Sequence, residues 1–384
     1  MGQAPAGSDC NTEGKGTIFV KAGEFGATFP VVREWTTRPL KFSQDGDVLI
    51  CVVGATCGKL NLAINSAIGR SVAAIRPRNG LDTKFLYLQM QPKVLALRGS
   101  STGTAQGVLT RGDLGKIDFV VVPLPEQRRI VAEIEKQFTR LEAGVAALRR
   151  VQANLHRYRA AVLKAACEGR LVPIKGKPVK PPELPAGWRW SNLKELKARS
   201  MYGPRFSSDD YSDTGYLVLR TTDISEGGKV DTASAPRLAL VKEEAAKYKV
   251  ERGDLLITRT GSLGTLAVFD DDVGAIPGAY LIHYRLAAPR ITGKYIFYFL
   301  KSPNGQRGLL KGGAGVGRPN LNAPTIEAIP IPLPPLAEQE RIVAEVERRL
   351  SVVEELSALV TANLQRATRL RQSVLQKAFT GELV

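Results

Sequence analysis

The sequence contains few of the residues from which metal sites and disulfide frameworks are built. It has only two histidines, His156 and His283, and its four cysteines are scattered without a Cys-x-x-Cys pair. A zinc site or a set of disulfides is therefore not expected. A reducing cytoplasm is the predicted location, because free thiols persist there.

Long apolar runs are lacking as well. No apolar stretch approaches the ~18–20 residues that a membrane-spanning helix requires. The polar start of the chain, MGQAPAGSDCNTEGKG, has no apolar core of a secretory signal. The 384 residues are nevertheless 43% hydrophobic, which is typical of folded proteins and sufficient for two or three domains.

Motifs of intrinsic catalysis are missing. The stretch GATCGKL at Gly54 has too few residues between its glycines for a phosphate-binding P-loop, and no Ser or Thr follows Lys59. The chain has no Asn-Pro-Pro-aromatic tetrapeptide of the kind that adenine methyltransferases use to hold a flipped base. The acidic run Asp270–Asp272 is typical of a loop. We therefore expect no catalytic site in this chain.

Positive charge, in contrast, is abundant. The net charge of +17 favours a polyanionic partner, most often nucleic acid, although many soluble proteins are mildly basic. Residues 1–122, 123–183 and 184–333 carry +5, +7 and +5, whereas residues 334–384 are neutral. Both globular regions therefore suit DNA contacts, while the helical charges also fit solvated faces with i,i+4 pairs.

The chain carries a long internal repeat. Segments Glu126–Val172 and Glu338–Val384, which begin EQRRIVAEIE and EQERIVAEVE, share 18 identities in 47 ungapped positions at an offset of 212. A weaker repeat relates GDVLICVVGATCGKL at Gly46 to GDLLITRTGSLGTL at Gly253, and each predicts an apolar strand that ends in a glycine turn. The chain is therefore predicted to be two tandem halves, each a globular domain followed by a long helix.

Each long repeated segment has one apolar stripe at helical spacing, sustained for some nine turns. Prolines precede both helices, and Gly169 and Gly381 lie where glycine commonly caps a helix C-terminus. The stripe residues are Ile130, Ile134, Phe138, Leu141, Val145, Leu148, Val151, Leu155, Tyr158 and Val162 in the first helix, and Ile342, Val346, Leu350, Val353, Leu356, Val360, Leu364, Ala367, Leu370 and Val374 in the second.

A helix of about 40 residues is roughly 60 Å long and cannot bury such a stripe inside one small domain. Two copies bury their stripes on each other as an antiparallel coiled coil; the alternative is an ordinary helix packed on its own domain. The predicted fold class is α/β (α+β): two copies of a recognition domain, separated by two long helices that form an antiparallel coiled coil, with a pseudo-two-fold internal repeat.

The domain limits follow from the repeat and from a Pro- and Lys-rich stretch, VPIKGKPVKPPELPAGW, that predicts an exposed linker. The start MGQAPAGSD aligns with SMYGPRFSSDD near Ser200, so we expect the first domain to lack roughly fifteen residues of its start. The predicted segments are 1–122 (first domain), 123–172 (first helix), 173–187 (linker), 188–333 (second domain) and 334–384 (second helix).

The motifs PLPEQRRIVAEIEKQF and IPLPPLAEQERIVAEVERRL, each behind a basic domain with a Gly-Asp-x-Leu-Ile strand, resemble those of Type I restriction–modification specificity (S) subunits. The endings VLKAACEGRLV and VLQKAFTGELV resemble them too. The resemblance covers essentially the whole chain except the shortened start of the first domain.

The resemblance implies a DNA-binding protein without catalytic residues. Two target-recognition domains would each read one half of a bipartite, asymmetric site in double-stranded DNA. The helices would fix the gap and dock two modification (methyltransferase) subunits, in a complex with restriction (translocase/nuclease) subunits. The chain itself would hold no cofactor, since S-adenosylmethionine, ATP and Mg would bind the partner subunits. The alternatives are a scaffold of the same architecture without specific DNA reading, and a self-contained enzyme.

Candidate DNA contacts lie on corresponding loops and turns of the two halves. The loop STGTAQGVLT aligns with GAGVGRPNLN, which places Gln106 opposite Arg318; glutamine suits adenine and arginine suits guanine. The alternatives are flexible loops that touch only phosphate, or turn glycines with no contact. The predicted DNA-binding residues are Thr56, Lys59, Arg98, Thr104, Gln106, Arg111, Arg205, Arg259, Thr260, Ser262, Lys311, Arg318, Asn320 and Asn322.

Three further groups of residues each fit more than one role. Lys84 is a candidate phosphate contact, and the aromatic residues Tyr202, Phe206 and Tyr211 fit base stacking, although core packing is the favoured interpretation. The start of each long helix repeats the same polar residues, which fit either partner docking or stabilisation of the helix N-terminus. The predicted docking residues are Glu126, Gln127, Arg129, Glu338, Gln339 and Arg341.

Overall fold

The computed structural model of the protein describes residues 1–78, 80–100, 108–172, 183–260, 264–287, 291–312 and 321–383. The chain forms two compact units. The first contains Met1–Arg150 and Val360–Val384, and the second contains Val151–Leu359. Each unit therefore combines one globular domain with parts of both long helices.

The globular part of the first unit is a small α/β domain. Its described strands are Cys10–Asn11 (β1), Thr17–Val20 (β2), Trp35–Thr36 (β3), Phe42–Ser43 (β4), Val48–Cys51 (β5), Leu60–Leu62 (β6), Ser66–Ile68 (β7) and Val72–Ile75 (β8). They form one sheet in the order β1-β3-β2-β7-β4 and another in the order β6-β5-β8. The helices Thr83–Ser100 (α1) and Arg111–Gly115 (α2) follow, and then the long helix Leu124–Cys167 (α3) begins.

The globular part of the second unit repeats this plan with additional elements. Its sheets have the orders β10-β17-β14-β15, β11-β13-β12-β16 and β18-β9, and the long helix α9 follows. The elements are Arg189–Ser191 (β9), Leu193–Leu196 (α4), Lys197–Tyr202 (β10), Tyr211–Ser212 (β11), Tyr216–Leu219 (β12), Arg237–Leu238 (β13), Lys242–Tyr248 (α5), Leu255–Thr258 (β14), Leu266–Val268 (β15), Ala275–Pro277 (β16), Leu281–Leu286 (β17), Gly293–Lys301 (α6), Pro303–Gly312 (α7), Ala323–Glu327 (α8), Ile331–Leu333 (β18) and Leu336–Thr380 (α9).

The Gly-Asp repeat occupies the same place in both domains. Strand β5 lies between β6 and β8, as β14 lies between β15 and β17. The aspartate of each motif is buried and paired with an arginine from the neighbouring strand segment: Asp47 accepts from Arg76 at 2.8 Å, and Asp254 accepts from Arg285 at 2.8 Å. The structure therefore confirms the α/β fold and the pseudo-two-fold repeat, and it assigns a structural role to two aspartates that the sequence analysis passed over.

The two long helices pair antiparallel in each unit. In the first unit Arg371 of α9 donates to Glu142 of α3 at 3.1 Å, and in the second unit Arg159 of α3 donates to Glu354 of α9 at 3.1 Å. The two ion pairs are related by the repeat offset of 212. Each domain core contains residues from both helices: Ile134 of α3 and Leu375 of α9 lie in the first core. The predicted antiparallel coiled coil is confirmed.

The apolar stripe is less completely buried than we expected. Val151, Tyr158, Leu356 and Leu370 are each about half exposed. A two-stranded seam covers only a narrow line of residues, and a domain core adds cover only near the helix ends. The helix ends themselves match the prediction, because Gly169 and Gly381 adopt positive φ and the N–H groups of Arg170 and Glu382 turn back to carbonyl oxygens five residues earlier.

A buried glutamine fixes the start of each long helix to its own domain. The amide of Gln127 accepts from the Asp82 N–H at 2.7 Å and donates to the carbonyl oxygens of Gly80 and Val122, each at 2.7 Å. Gln339 likewise accepts from the Thr292 N–H at 3.1 Å and donates to Pro334 O at 2.9 Å. Both glutamines are fully buried, so the docking prediction cannot rest on their side chains.

Replacing Gln127 with alanine is expected to lower the free energy of unfolding by about 2–3 kcal/mol, because three partly buried hydrogen bonds to peptide groups are lost. Hydrogen exchange of α1 and of the start of α3 measures the loss. Gln365→Ala, at an exposed helical position, is the matched control and should change little. An equal effect of the two substitutions would contradict the role assigned to Gln127.

Candidate nucleic-acid interface

Several strands of the second domain end, and β17 begins, along one edge of the domain. Backbone hydrogen bonds join the segments there: Arg259 N–H donates to Tyr280 O at 3.0 Å, and Leu321 N–H donates to Arg259 O at 2.9 Å. Gly203 N–H reaches Leu281 O at 3.1 Å. We call this the strand-end surface; it comprises residues 202–206, 220–222, 259–260, 278–280 and 321–322.

Arg259 is positioned on this surface by an aromatic ring. Its guanidinium carbon lies 4.6 Å from the centroid of the Tyr202 ring, an attractive cation–π geometry. The Tyr202 hydroxyl in turn accepts from the Ala323 N–H at 2.9 Å. Core packing, the favoured interpretation for the aromatic cluster, is wrong for Tyr202, which is exposed. It holds for Phe206 and Tyr211, which are partly buried against a small core.

A cleft of about 590 Å³ lies in the strand-end surface. Arg205 is exposed at this cleft, and Tyr280 presents a half-exposed ring. Arg220 also lines it, but its guanidinium is bound to Asp223 at 2.7 Å. The cleft therefore combines cations with aromatic faces, a combination that suits phosphates and bases. Tyr280 immediately precedes β17, and nothing in the local sequence marks such a residue as a surface residue, so it was not among the predicted contacts.

The first domain builds the corresponding edge from different side chains. Gly2 N–H donates to Val72 O at 2.8 Å, as Gly203 does to Leu281. A Cβ at Gly2 or Gly203 would lie 2.3 or 2.1 Å from a carbonyl oxygen, so only glycine fits either site. This places Met1 at the position of Tyr202, in agreement with the predicted alignment.

The chemistry of the first-domain cleft is distinct. The cleft has a volume of about 440 Å³ and is lined by residues that include Ala4, Pro5 and Cys10, where the second domain has Arg205, Phe206 and Tyr211. Its lysine, Lys21, is paired with Glu34. Two domains of one fold thus present a different distribution of charge and aromatic surface at corresponding edges.

The predicted DNA-binding residues divide into three groups. Arg205, Arg259 and Thr260 lie together on the strand-end surface, and Arg111 is exposed at the start of α2. The backbone or side chains of the remaining candidates Arg98, Thr104, Gln106, Ser262, Lys311, Arg318 and Asn320 lie outside the described residues.

Two predicted contacts, and Lys84, are engaged within the protein, whereas Thr56 is exposed. Asn322 caps α8 by accepting from Thr325 N–H at 2.9 Å, and Lys59 donates to Phe25 O at 2.6 Å. Lys84 forms an ion pair with Glu135 at 2.6 Å instead of presenting an unpaired ammonium group for a phosphate contact.

The predicted docking residues other than the two glutamines lie at the exposed or half-exposed starts of the helices. Glu126 accepts from Arg129 at 2.8 Å, one turn later. Glu338 and Arg341 occupy the same positions in α9. This arrangement also stabilises a helix N-terminus, so both interpretations remain compatible with the contacts.

Two buried cysteines of the described residues have raised thiol pKa values. Burial raises the pKa of the Cys51 thiol to about 11 and that of the Cys167 thiol to about 12, so both are protonated at neutral pH. Across the described ranges no three His, Cys, Asp or Glu side chains are grouped to hold a metal ion. None of the described helices is both long and apolar enough to cross a membrane.

Comparison with known proteins gives one consistent result. A family model described as the Type I restriction modification DNA specificity domain matches residues 2–147 and 185–364. The chain is similar to the specificity subunits of three Type I restriction enzymes: EcoBI of Escherichia coli (27% identical, 79% of this chain and 66% of the relative), StySPI of Salmonella potsdam (27%, 86% and 72%) and EcoKI of Escherichia coli strain K12 (28%, 86% and 72%). The chain thus spans between 66% and 72% of the length of these relatives.

Solved structures agree on the fold. A chain from a type I R-M system structure superposes with a TM-score of 0.78 at 20% identity, over 95% of this chain and 92% of that chain. The HsdS subunit from Thermoanaerobacter tengcongensis gives 0.56 at 21% identity, over 95% and 90%.

The family model matches both halves of the repeat and well over half of the sequence, and the chain therefore belongs to the family of Type I restriction–modification specificity subunits.

Proposed function

We propose that this chain recognises a bipartite, asymmetric site in double-stranded DNA, with one domain for each half-site. The observation that supports this most directly is the repeat of one fold with different edge chemistry. The second domain presents Arg205, Arg259 and Tyr280 on its strand-end surface, whereas the first presents Ala4 and Pro5 in its corresponding cleft. Two unlike readers on one chain suit two unlike half-sites, whereas a palindrome is read by identical readers.

The net charge supports binding to DNA rather than to a neutral partner. Both domains carry an excess of +5 by sequence, which provides a sequence-independent attraction to the phosphates. On the strand-end surface, Arg205 is suited to a phosphate contact because its long side chain is exposed. Arg259 is suited to a base contact because the Tyr202 ring restricts its orientation.

The long helices provide the proposed spacer and docking elements. Helix α3 contains 44 residues, which corresponds to about 66 Å at 1.5 Å per residue; this is comparable to two turns of DNA at about 34 Å each. We propose that two modification subunits and the restriction subunits dock on the helix pair, near Glu126, Arg129, Glu338 and Arg341. S-adenosylmethionine, ATP and Mg would then bind to those partners, and this chain would contribute recognition alone.

The test is methylome sequencing of DNA from cells that express this chain with its cognate modification subunit. A bipartite motif with two different defined halves and methyl-adenine on both strands is the expected result. A strain that expresses the modification subunit alone is the control and should give no such motif. A motif with one defined half would contradict reading by the first domain. A stable complex with no motif would instead favour the scaffold.

A further inference from the structure

The clefts of the two domains can be matched through the backbone hydrogen bonds at their edges. In the second domain Gly278 N–H donates to Leu219 O at 2.8 Å, and in the first domain Gly69 N–H donates to Val20 O at 2.9 Å. Each bond lies where two parallel strands end, β12 beside β16 in the second domain and β2 beside β7 in the first. Gly69 therefore corresponds to Gly278.

A second pair of hydrogen bonds gives the same match. Arg259 N–H donates to Tyr280 O at 3.0 Å, and Val52 N–H donates to Ser71 O at 2.9 Å. Ser71 therefore corresponds to Tyr280, and each of these residues lies two positions after the matched glycine.

One residue lies between the matched positions in each domain. It is Ala279 in the second domain, where it lines the cleft of the strand-end surface, and Arg70 in the first domain. The exposed arginine of the second-domain cleft is Arg205, and the residue at the corresponding place of the first-domain cleft is Ala4. The two domains therefore place an arginine beside the cleft from different segments of the same fold.

The backbone holds Arg70 at the rim of the first-domain cleft. A Cβ at Gly69, immediately before Arg70, would lie 3.2 Å from Lys21 Cγ and 3.3 Å from the Phe19 ring. Both Lys21 and Phe19 line the cleft. Val72 N–H donates to Gly69 O at 2.9 Å and closes the turn that carries Arg70. The arginine side chain therefore starts from a fixed turn beside the cleft.

Arg70 also has the free charge that a phosphate contact requires. Lys21 of the same cleft is paired with Glu34, and Arg220 of the second-domain cleft is paired with an aspartate. Arg70 is exposed, and no carboxylate of the described ranges pairs with it. Like Arg205, it can approach a phosphate without first breaking an ion pair.

We propose that Arg70 is the phosphate contact of the first domain, as Arg205 is that of the second. This inference rests on the proposed DNA recognition and adds the residue by which the first domain holds the backbone of its half-site. Within the described residues no aromatic ring lies against its guanidinium, in contrast to Tyr202 against Arg259. An exposed arginine without such a ring suits a phosphate, which requires positive charge but no single orientation.

The first test measures the salt dependence of DNA binding by the complex with its modification subunits. Arg70→Ala should reduce the slope of log affinity against log salt concentration by about one, on duplex DNA with the methylome-derived site and on duplex DNA without it. Arg70→Lys should keep the slope, because the charge is retained. Arg78→Ala is the matched control and should leave the slope unchanged, since Arg78 is exposed in the same domain beyond the opposite end of β8.

A second experiment assigns the contact to one half-site. Methylphosphonate linkages, which carry no charge, replace the phosphates of one half-site at a time. On DNA neutralised in the half bound by the first domain, Arg70→Ala should cause no further loss of affinity, because the charge that it contacts is already absent. Arg205→Ala should still weaken binding to that DNA, and the two variants should show the reverse when the other half is neutralised.

Several results would overturn the proposal. They are an unchanged slope in Arg70→Ala, an equal change in Arg78→Ala, an equal loss in Arg70→Lys, which would indicate a structural role, and a loss that depends on base sequence, which would indicate a base contact. Dependence of Arg70 and Arg205 on the same half-site would contradict it too.

The DNA without the site separates this proposal from the proposed function. A reduced slope on that DNA, without a bipartite motif in the methylome, would retain Arg70 as a phosphate contact and reject the two-reader function. A bipartite motif with an unchanged slope would retain the function and reject Arg70.

Discussion

Asp254→Ala is expected to lower the free energy of unfolding of the second unit by about 3–5 kcal/mol, one of the largest single effects in this chain. The carboxylate is buried and accepts from His283 Nε2 at 2.7 Å, from Arg285 Nη2 at 2.8 Å and from Glu251 N–H at 2.8 Å. Its removal leaves the fully buried His283 imidazole without its partner at Nε2, and it leaves Arg285 with Glu251 at 3.2 Å as its remaining carboxylate. Hydrogen exchange of β14 and β17 measures the loss in this unit, because a chain of two units need not unfold in one step.

The repeat supplies a matched comparison. Asp47 is equally buried, but its partner Arg76 has a side chain that is 57% exposed. Water can therefore solvate the arginine that Asp47→Ala leaves behind, and we expect a smaller loss of about 1–3 kcal/mol. A loss at Asp47 that equals or exceeds the loss at Asp254 would contradict this account of the pairs.

The same network gives stability a dependence on pH. Burial alone would raise the pKa of Asp254, but the hydrogen bonds from His283 and Arg285 hold this pKa below its ordinary value. A lowered native pKa means that the contribution is fully present above the unfolded pKa of about 3.9 and is lost as the pH falls through the native value. In the Asp254→Asn variant, the stability measured by hydrogen exchange of β14 should not show this loss on acidification.

The repeat made much of the fold predictable. An offset of 212 between the two helical segments identified both long helices, their glycine caps and their mutual packing. The pairs Glu142–Arg371 and Arg159–Glu354 then follow from one symmetry. Periodicity overstated the burial of the stripe, because spacing reports which side chains share a face and not what covers that face. Val151 and Leu356 fit the pattern and are still half exposed.

The candidate site was harder to predict, since it depends on contacts between distant segments. Asp47 and Asp254 were visible in the repeated Gly-Asp motif, but their arginine partners lie 29 and 31 residues later and are brought close only by strand pairing. Tyr202 meets Arg259 in the same way. Local composition cannot distinguish such a tyrosine from a core residue, because both occur beside apolar strands.

Arg259→Ala is expected to weaken binding of the assembled complex to its cognate DNA by about 10- to 100-fold and to relax selectivity within one half-site. The Tyr202 ring lies against the guanidinium, so that its donors would meet a base edge in one orientation. Arg259→Lys should also lose most of the affinity and selectivity that Arg259 provides, because an ammonium group neither stacks on the ring in the same way nor donates two parallel hydrogen bonds. Tyr202→Phe, which keeps the ring, should cost less than Tyr202→Ala.

Arg205→Ala separates base reading from attraction to phosphates. We expect this substitution to weaken binding to all DNA sequences alike. It should also reduce the slope of log affinity against log salt concentration by about one, as the loss of a single phosphate contact would. The measurement is competition binding of the complex with its modification subunits to DNA that carries the methylome-derived site, each base of each half being changed in turn. If Arg259→Ala weakened every sequence equally, it would be a phosphate contact. If its selectivity changed in both half-sites, the assignment of one domain to each half would be wrong.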